Sequence, residues 1–239
     1  MGPLSAGFLV IAVVDFGVLI WALRLYRQNP STALWLASVP LGLLWYDNVV
    51  IGLGSTIGEG QLLVDLNTVR FLAHYVLLPF ALVSIAAMAR QAGFRWAQPW
   101  FVMAAFGMLA TYFMLHDLFL FKNSNLYTSC FADTLRYTTS IRDYTVCGPD
   151  SVVGSGQSIP PLPALTLSNL QILFGAYLWW KVGFKWLFLI SVGVLALFAI
   201  PFSSTGGIFS NMGEPIITGT LVYTAAYITR HRDSWQDKL

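Results

Sequence analysis

Apolar residues dominate seven stretches of this chain, each close to the roughly 20 residues that a helix needs to cross about 30 Å of hydrocarbon. They cover residues 5–25, 32–54, 68–90, 96–120, 164–182, 184–203 and 212–229. A tight turn around Gly183 separates the fifth from the sixth, and the turn-rich Ser204-Thr205-Gly206-Gly207 leads towards the last. The pattern predicts an all-α integral membrane protein, a seven-transmembrane-helix bundle forming a single domain over 1–239. No positive charge precedes the first stretch and nothing there resembles a signal-peptidase site, so the first span is expected to stay in the mature protein.

Composition supports this pattern. The 239 residues are 56% hydrophobic and 10% charged, with a mean hydropathy of +0.67, against about 25% charged in a soluble domain. The net charge of +2 is small and dispersed, which excludes a nucleic-acid partner and leaves membrane lipid and a lipophilic small molecule as the expected ones. The placement of basic residues sets the orientation. With seven crossings, Arg24, Arg27, Arg90, Arg95, Lys181, Lys185, Arg230, Arg232 and Lys238 all fall on one side. The other side holds only Lys122, Arg136 and Arg142, beside Glu59, Asp65, Asp133, Asp143 and Asp150. The N-terminus is therefore expected outside and the C-terminus in the cytoplasm.

Cys130 and Cys147 both lie in the long loop 121–163 between the fourth and fifth spans, on the side expected to be extracytoplasmic or lumenal, where a disulfide is permitted. Closing about 18 residues contributes roughly 3 kcal/mol in the chain-entropy model. The segment between the cysteines is rich in β-branched and aromatic residues. A disulfide-stapled hairpin lying as a lid over the outer mouth of the bundle is expected, followed by an irregular Gly/Ser/Pro-rich tail over 154–163.

Ionisable groups inside spans are costly and by default mark function or a buried partner. Here they are Asp15, Asp47, Arg70, His74, His116, Asp117 and Glu214, with Asn48, Asn67 and Asn169 nearby. At 1.5 Å per residue, Asp47 lies about 10 Å, Arg70 about 3 Å, His74 about 9 Å, His116 and Asp117 about 5 Å and Asn169 about 7 Å below the outer boundary. Apart from Asp15 near mid-membrane, the group falls in the outer third, although the helices alternate in direction. Spacing agrees: Asn67, Arg70 and His74 share one face, as do Tyr112 with His116 and Glu214 with Thr218. Pro215 is read as a first-turn proline. Structural roles compete with this picture. Arg70 can simply pair with Asp47, Asp117 or Glu214, each histidine can be a satisfied core residue, and Glu59 and Asp65 read as solvated loop carboxylates.

Two imidazoles, several carboxylates and an arginine under a lid fit an enzyme acting on a lipid or isoprenoid, a lyase, isomerase, cyclase or hydrolase. In it a carboxylic acid kept protonated by desolvation gives up its proton. Asp47, Arg70, His74, His116, Asp117 and Glu214 are the candidate catalytic residues, and Asn48, Asn67, Tyr112, Asn169 and Thr218 the candidate substrate contacts. A variant places a divalent metal on His74, His116 and a carboxylate. Alternatively His74 and His116 ligate a b-type haem, which Asp117 beside one ligand counts against, or the chain is a small-solute or ion transporter, although no inverted repeat is visible. In length and seven-span plan the chain is similar to the small membrane-bound terpene cyclases of the meroterpenoid pathways, which use acidic residues on separate helices. That likeness is of plan alone, with no shared motif. The last span lacks the Schiff-base lysine of retinal proteins, and the HxxxH pattern of ceramidase-like hydrolases is missing.

Overall fold

The computed structural model describes residues 2–148 and 151–236; Asp150 and Lys238, counted above by sequence, lie outside the described residues. All seven apolar stretches are helical. The order is α1 (Pro3–Gln28), α2 (Thr32–Ser38), α3 (Leu41–Ile57), α4 (Gln61–Leu77), α5 (Phe80–Gln91), α6 (Trp100–Lys122), β1 (Tyr127–Phe131), β2 (Thr134–Thr138), α7 (Leu162–Val182), α8 (Trp186–Phe198), α9 (Phe202–Thr205) and α10 (Ile208–Gln236). The fold is helical, with one small antiparallel sheet, β1 and β2, in the loop where a disulfide-stapled hairpin is expected.

Prolines account for most departures from the expected bounds. A proline lacks the N–H that closes a helical turn and clashes with the carbonyl four residues before it. Pro40 therefore divides the second stretch into α2 and α3, and Pro79 divides the third into α4 and α5. The third stretch also starts seven residues earlier than read, at Gln61 instead of residue 68. Pro99 caps α6, which moves its start to Trp100 and leaves Arg95–Ala97 as a separate 3₁₀ turn. Gly183, in the left-handed conformation, ends α7 as expected. Pro201 leaves α8 only 13 residues long. The final helix begins before the expected 212, so Pro215 lies in its interior and removes the donor owed to the carbonyl of Asn211.

Among the described residues four helical segments, Pro3–Gln28, Thr32–Ile57, Gln61–Gln91 and Trp100–Lys122, are long and apolar enough to cross a membrane. In the most apolar window of the last, only 11% is buried within the protein; such exposed apolar surface needs lipid or a partner to cover it. The hydrophobic core, around Leu34, Leu82, Met88, Leu178 and Leu221, joins the ends of α1 and α10 that lie far from the hairpin. The polar groups occupy the half nearer to it.

The hairpin is pinned to the bundle at several points. Its register pairs Ser129 with Arg136 and Phe131 with Thr134, which puts these side chains on one face. Cys130 is disulfide-bonded to Cys147. Asp133, in the two-residue turn, caps α1 from 129 residues away: its carboxylate accepts the amides of Leu4 at 3.1 Å and Ser5 at 2.9 Å. Its backbone carbonyl accepts the hydroxyls of Ser5 and Ser55. Gly54 makes this docking possible, since a Cβ there would lie 1.7 Å from the carbonyl oxygen of Leu135. The tail of the loop is less irregular than expected, because Ile141 and Ser155 share a backbone bond and Ser140 bridges Gly156.

Partial burial pushes the Asp133 carboxyl upward, but the amides of Ser5 and Leu4 outweigh that and hold it below its ordinary value of 3.8. A carboxyl whose folded value is depressed contributes stability that is fully present above its unfolded value and is lost as pH falls through the folded one. The difference in melting temperature between the native chain and Asp133→Asn is therefore expected to be constant near neutrality and to shrink as pH drops below 3.8. A difference that stays constant down to about pH 2 would contradict this contact.

Candidate functional site

The site grows from two adjacent residues of α3. Asp47 and Asn48 point to different neighbours because successive helical residues are about 100° apart. Asn48 turns toward α1, where its amide donates to Asp15 at 2.9 Å. Asp47 turns toward α4, where its Oδ1 lies 3.3 Å from Nε of Arg70. Asn211 of α10 bridges them, donating to Asn48 Oδ1 at 2.9 Å and to Asp47 Oδ2 at 3.3 Å. One polar chain thus runs Asp15–Asn48–Asn211–Asp47–Arg70 through four helices. It continues into the lid, since Arg70 Nη2 reaches the carbonyl of Tyr137 at 3.5 Å. The Arg70 guanidinium also lies 4.6 Å from the ring centre of Phe71.

Beside this chain is a cavity of about 430 Å³, within the range that encloses a drug-sized molecule. Five of the six candidate catalytic residues line it: Asp47, Arg70, His74, Asp117 and Glu214, from α3, α4, α6 and α10. Apolar wall comes from Ile51, Phe71, Leu78, Ala164 and Phe202, while the loop supplies hydroxyls of Ser129, Thr138, Thr139, Tyr144 and Ser158. Three lining groups have buried atoms without a hydrogen-bond partner among the described residues, Nη1 of Arg70, Oγ of Ser129 and Oε2 of Glu214. The ring of His74 borders the same space.

The remaining candidates fall elsewhere. His116 does not line the cavity; it lies beside its neighbour Asp117, with Nδ1 2.9 Å from Oδ1, and orients that carboxyl from behind. The ring of Tyr112 lies 5.9 Å from that of His116; the side chain is 58% exposed, faces outward and does not line the cavity. Asn169 also lies outside the cavity: it is exposed and donates to the carbonyl of Leu165. Asn67 is buried but spends its amide on the carbonyl of Leu63. Thr218 bonds the backbone carbonyl of Glu214, not its carboxyl. Asn48 supports the site through Asp15 and Asn211 without lining the cavity.

Sequence reasoning missed Asn211, Ser129 and Arg136. Asn211 lay just outside the expected start of the last span. Arg136 is a lid residue, yet it is buried, donates to the carbonyl of Gly206 at 3.4 Å and covers the ring of Phe202. Desolvation and then the nearby Arg70 charge push its guanidinium down to about 10, so it is charged at neutral pH. For a metal or a haem, His74 and His116 would have to face one space, and only His74 faces the cavity. Among the described residues no three His, Cys, Asp or Glu side chains are placed to share a metal ion.

Comparison with models of known protein families gives no match, and neither does comparison with curated proteins.

Removing one partner of a buried ion pair leaves the other charge uncompensated, at a cost of about 3–5 kcal/mol, whereas replacing both with apolar residues is close to neutral. Asp47→Asn is therefore expected to lower thermal stability strongly, and the double substitution Asp47→Leu with Arg70→Met to recover most of the loss. If the two losses simply add in melts of the purified variants, Asp47 and Arg70 are not coupled.

Proposed function

We propose that this chain is a seven-span membrane enzyme that transforms a lipid or isoprenoid by proton transfer in the cavity beneath its lid. The topology rests on the charge partition and on an interfacial belt. Trp96, Trp100, Trp179, Trp180 and Trp186 are exposed, and all lie close in sequence to Arg95, Lys181 or Lys185. Lys181 and Lys185 lie over the rings of Trp180 and Trp186, an arrangement suited to the headgroup level. α8 alone spans only about 20 Å and completes its crossing through Pro201 and α9. With N-terminus outside and C-terminus cytoplasmic, cysteines introduced at exposed Gln28 and Gln157 are expected to react with impermeant reagent from opposite sides. Labelling of both from one side would end this topology.

One observation carries the functional reading: five ionisable side chains from four helices share a cavity that is partly apolar and roofed by a docked lid. A lipophile can reach such a site between helices, and the roof keeps water from competing for the proton. Glu214 is the acid: its Oε2 is buried with no hydrogen-bond partner among the described residues, and the side chain borders the cavity. His74 receives the proton that the rearranged molecule gives up and that proton returns to Glu214 before the next turnover, so the reaction is proton-neutral, as in an isomerisation or cyclisation. The Arg70–Asp47 pair provides a fixed field and holds the site in shape. Asp117, positioned by His116, supplies the second carboxyl.

Glu214→Gln keeps the shape and removes the proton. Across a panel of lipid and isoprenoid substrates it is expected to lower turnover by about 10²–10⁴-fold, the usual worth of a general acid, with an unchanged melt. Retained turnover, or activity that merely tracks folded protein, would sink this assignment.

A further inference from the structure

The lid side of the cavity carries more positive charge than the fold answers. Arg70 gives Nε to Asp47 and Nη2 to a carbonyl, and its Nη1 is buried with no partner among the described residues. Arg136, 6% exposed, has no carboxylate within 4.0 Å among the described residues; it has only a carbonyl and an aromatic face. Its cross-strand neighbour Ser129, 1% exposed, presents a hydroxyl with no partner among the described residues. All three line the same cavity, and Arg142 stands at its exposed rim, bonded to Ser158. A buried guanidinium without an anion is costly in a low-dielectric setting. A hydroxyl that satisfies nothing in the fold is equally unexplained by stability.

Resting on the lipophile reading above, we propose that the molecule held in this cavity carries a phosphate head, received by Arg70, Arg136 and the hydroxyl of Ser129, with its apolar part against Ile51, Phe71 and Leu78. Guanidinium forks match phosphate oxygens in charge and geometry. Three donors from separate directions suit a tetrahedral group better than a planar carboxylate with two oxygens. Among the other lid hydroxyls that line the cavity, Thr138 and Thr139 add to the polar shell around the head.

The test is binding to the full chain purified in a non-ionic maltoside detergent, with dodecyl phosphate, dodecanol and inorganic phosphate as probes. Dodecyl phosphate is expected to bind at least about tenfold more tightly than dodecanol, the worth of one charge-assisted hydrogen bond. Arg136→Met and Ser129→Ala are each expected to reduce that preference and to leave dodecanol binding unchanged. Ser129→Ala removes a group that bonds nothing in the fold, so it keeps the test open if Arg136→Met does not fold. Equal binding of dodecyl phosphate and dodecanol overturns the phosphate head while leaving the lipophilic cavity standing. Inorganic phosphate binding as tightly as dodecyl phosphate overturns a lipid source and points to a free anion. Binding of neither alkyl compound overturns the cavity reading itself. A preference untouched by either substitution overturns the assignment of these residues.

Discussion

An arginine held among apolar helices must be answered by a carboxylate, and the pairing of Arg70 with Asp47 is the interaction on which the rest of the site depends. It fixes α4 against α3. Through Asn211 it draws in α10, and through the carbonyl of Tyr137 it meets the lid. A cost of several kcal/mol for breaking a buried pair is large beside the 5–15 kcal/mol of net stability typical of a domain. The helices therefore have one low-energy arrangement in this half of the bundle, and the cavity is a consequence of it. Among the described residues the opposite half holds no such ion pair and is filled by leucines, alanines and aromatic side chains.

The lid solves a related problem. Four amides at a helix N-terminus have no partner within the helix, and α1 has no cap of its own from Gly2. Asp133 supplies one from the turn of the hairpin. Gly54 lets the β2 backbone settle on α3, and the disulfide ties β1 to the remainder of the loop. The face that this docking turns inward carries Ser129 and Arg136, so the chemistry of the roof follows from how the roof is attached.

Hydropathy alone located seven helical stretches, and the cysteine pair and its loop were legible as well. The common depth of polar residues on separate helices pointed to one site, and Asp47, Arg70, His74, Asp117 and Glu214 do line one cavity. Rotation about the helix axis was not legible everywhere. α6 is apolar around most of its circumference, so no stripe marks its inner face; Asp117 turns in while Tyr112 turns out. Asn211 was hidden because the start of α10 lies in a segment that reads as a turn. The docking of Asp133 and Arg136 depends on contacts between residues 70 or more apart in sequence, which local pattern does not encode.

The central claim is that the cavity between α3, α4, α6 and α10 holds one lipophilic molecule. Native mass spectrometry of the chain extracted from its membrane measures this most directly, with Ala164→Phe as a variant that fills the cavity from α7. The account predicts one bound lipophile per chain, retained on gentle activation and lost from Ala164→Phe although the variant still folds. A bare chain, or an adduct that survives Ala164→Phe unchanged, would contradict it.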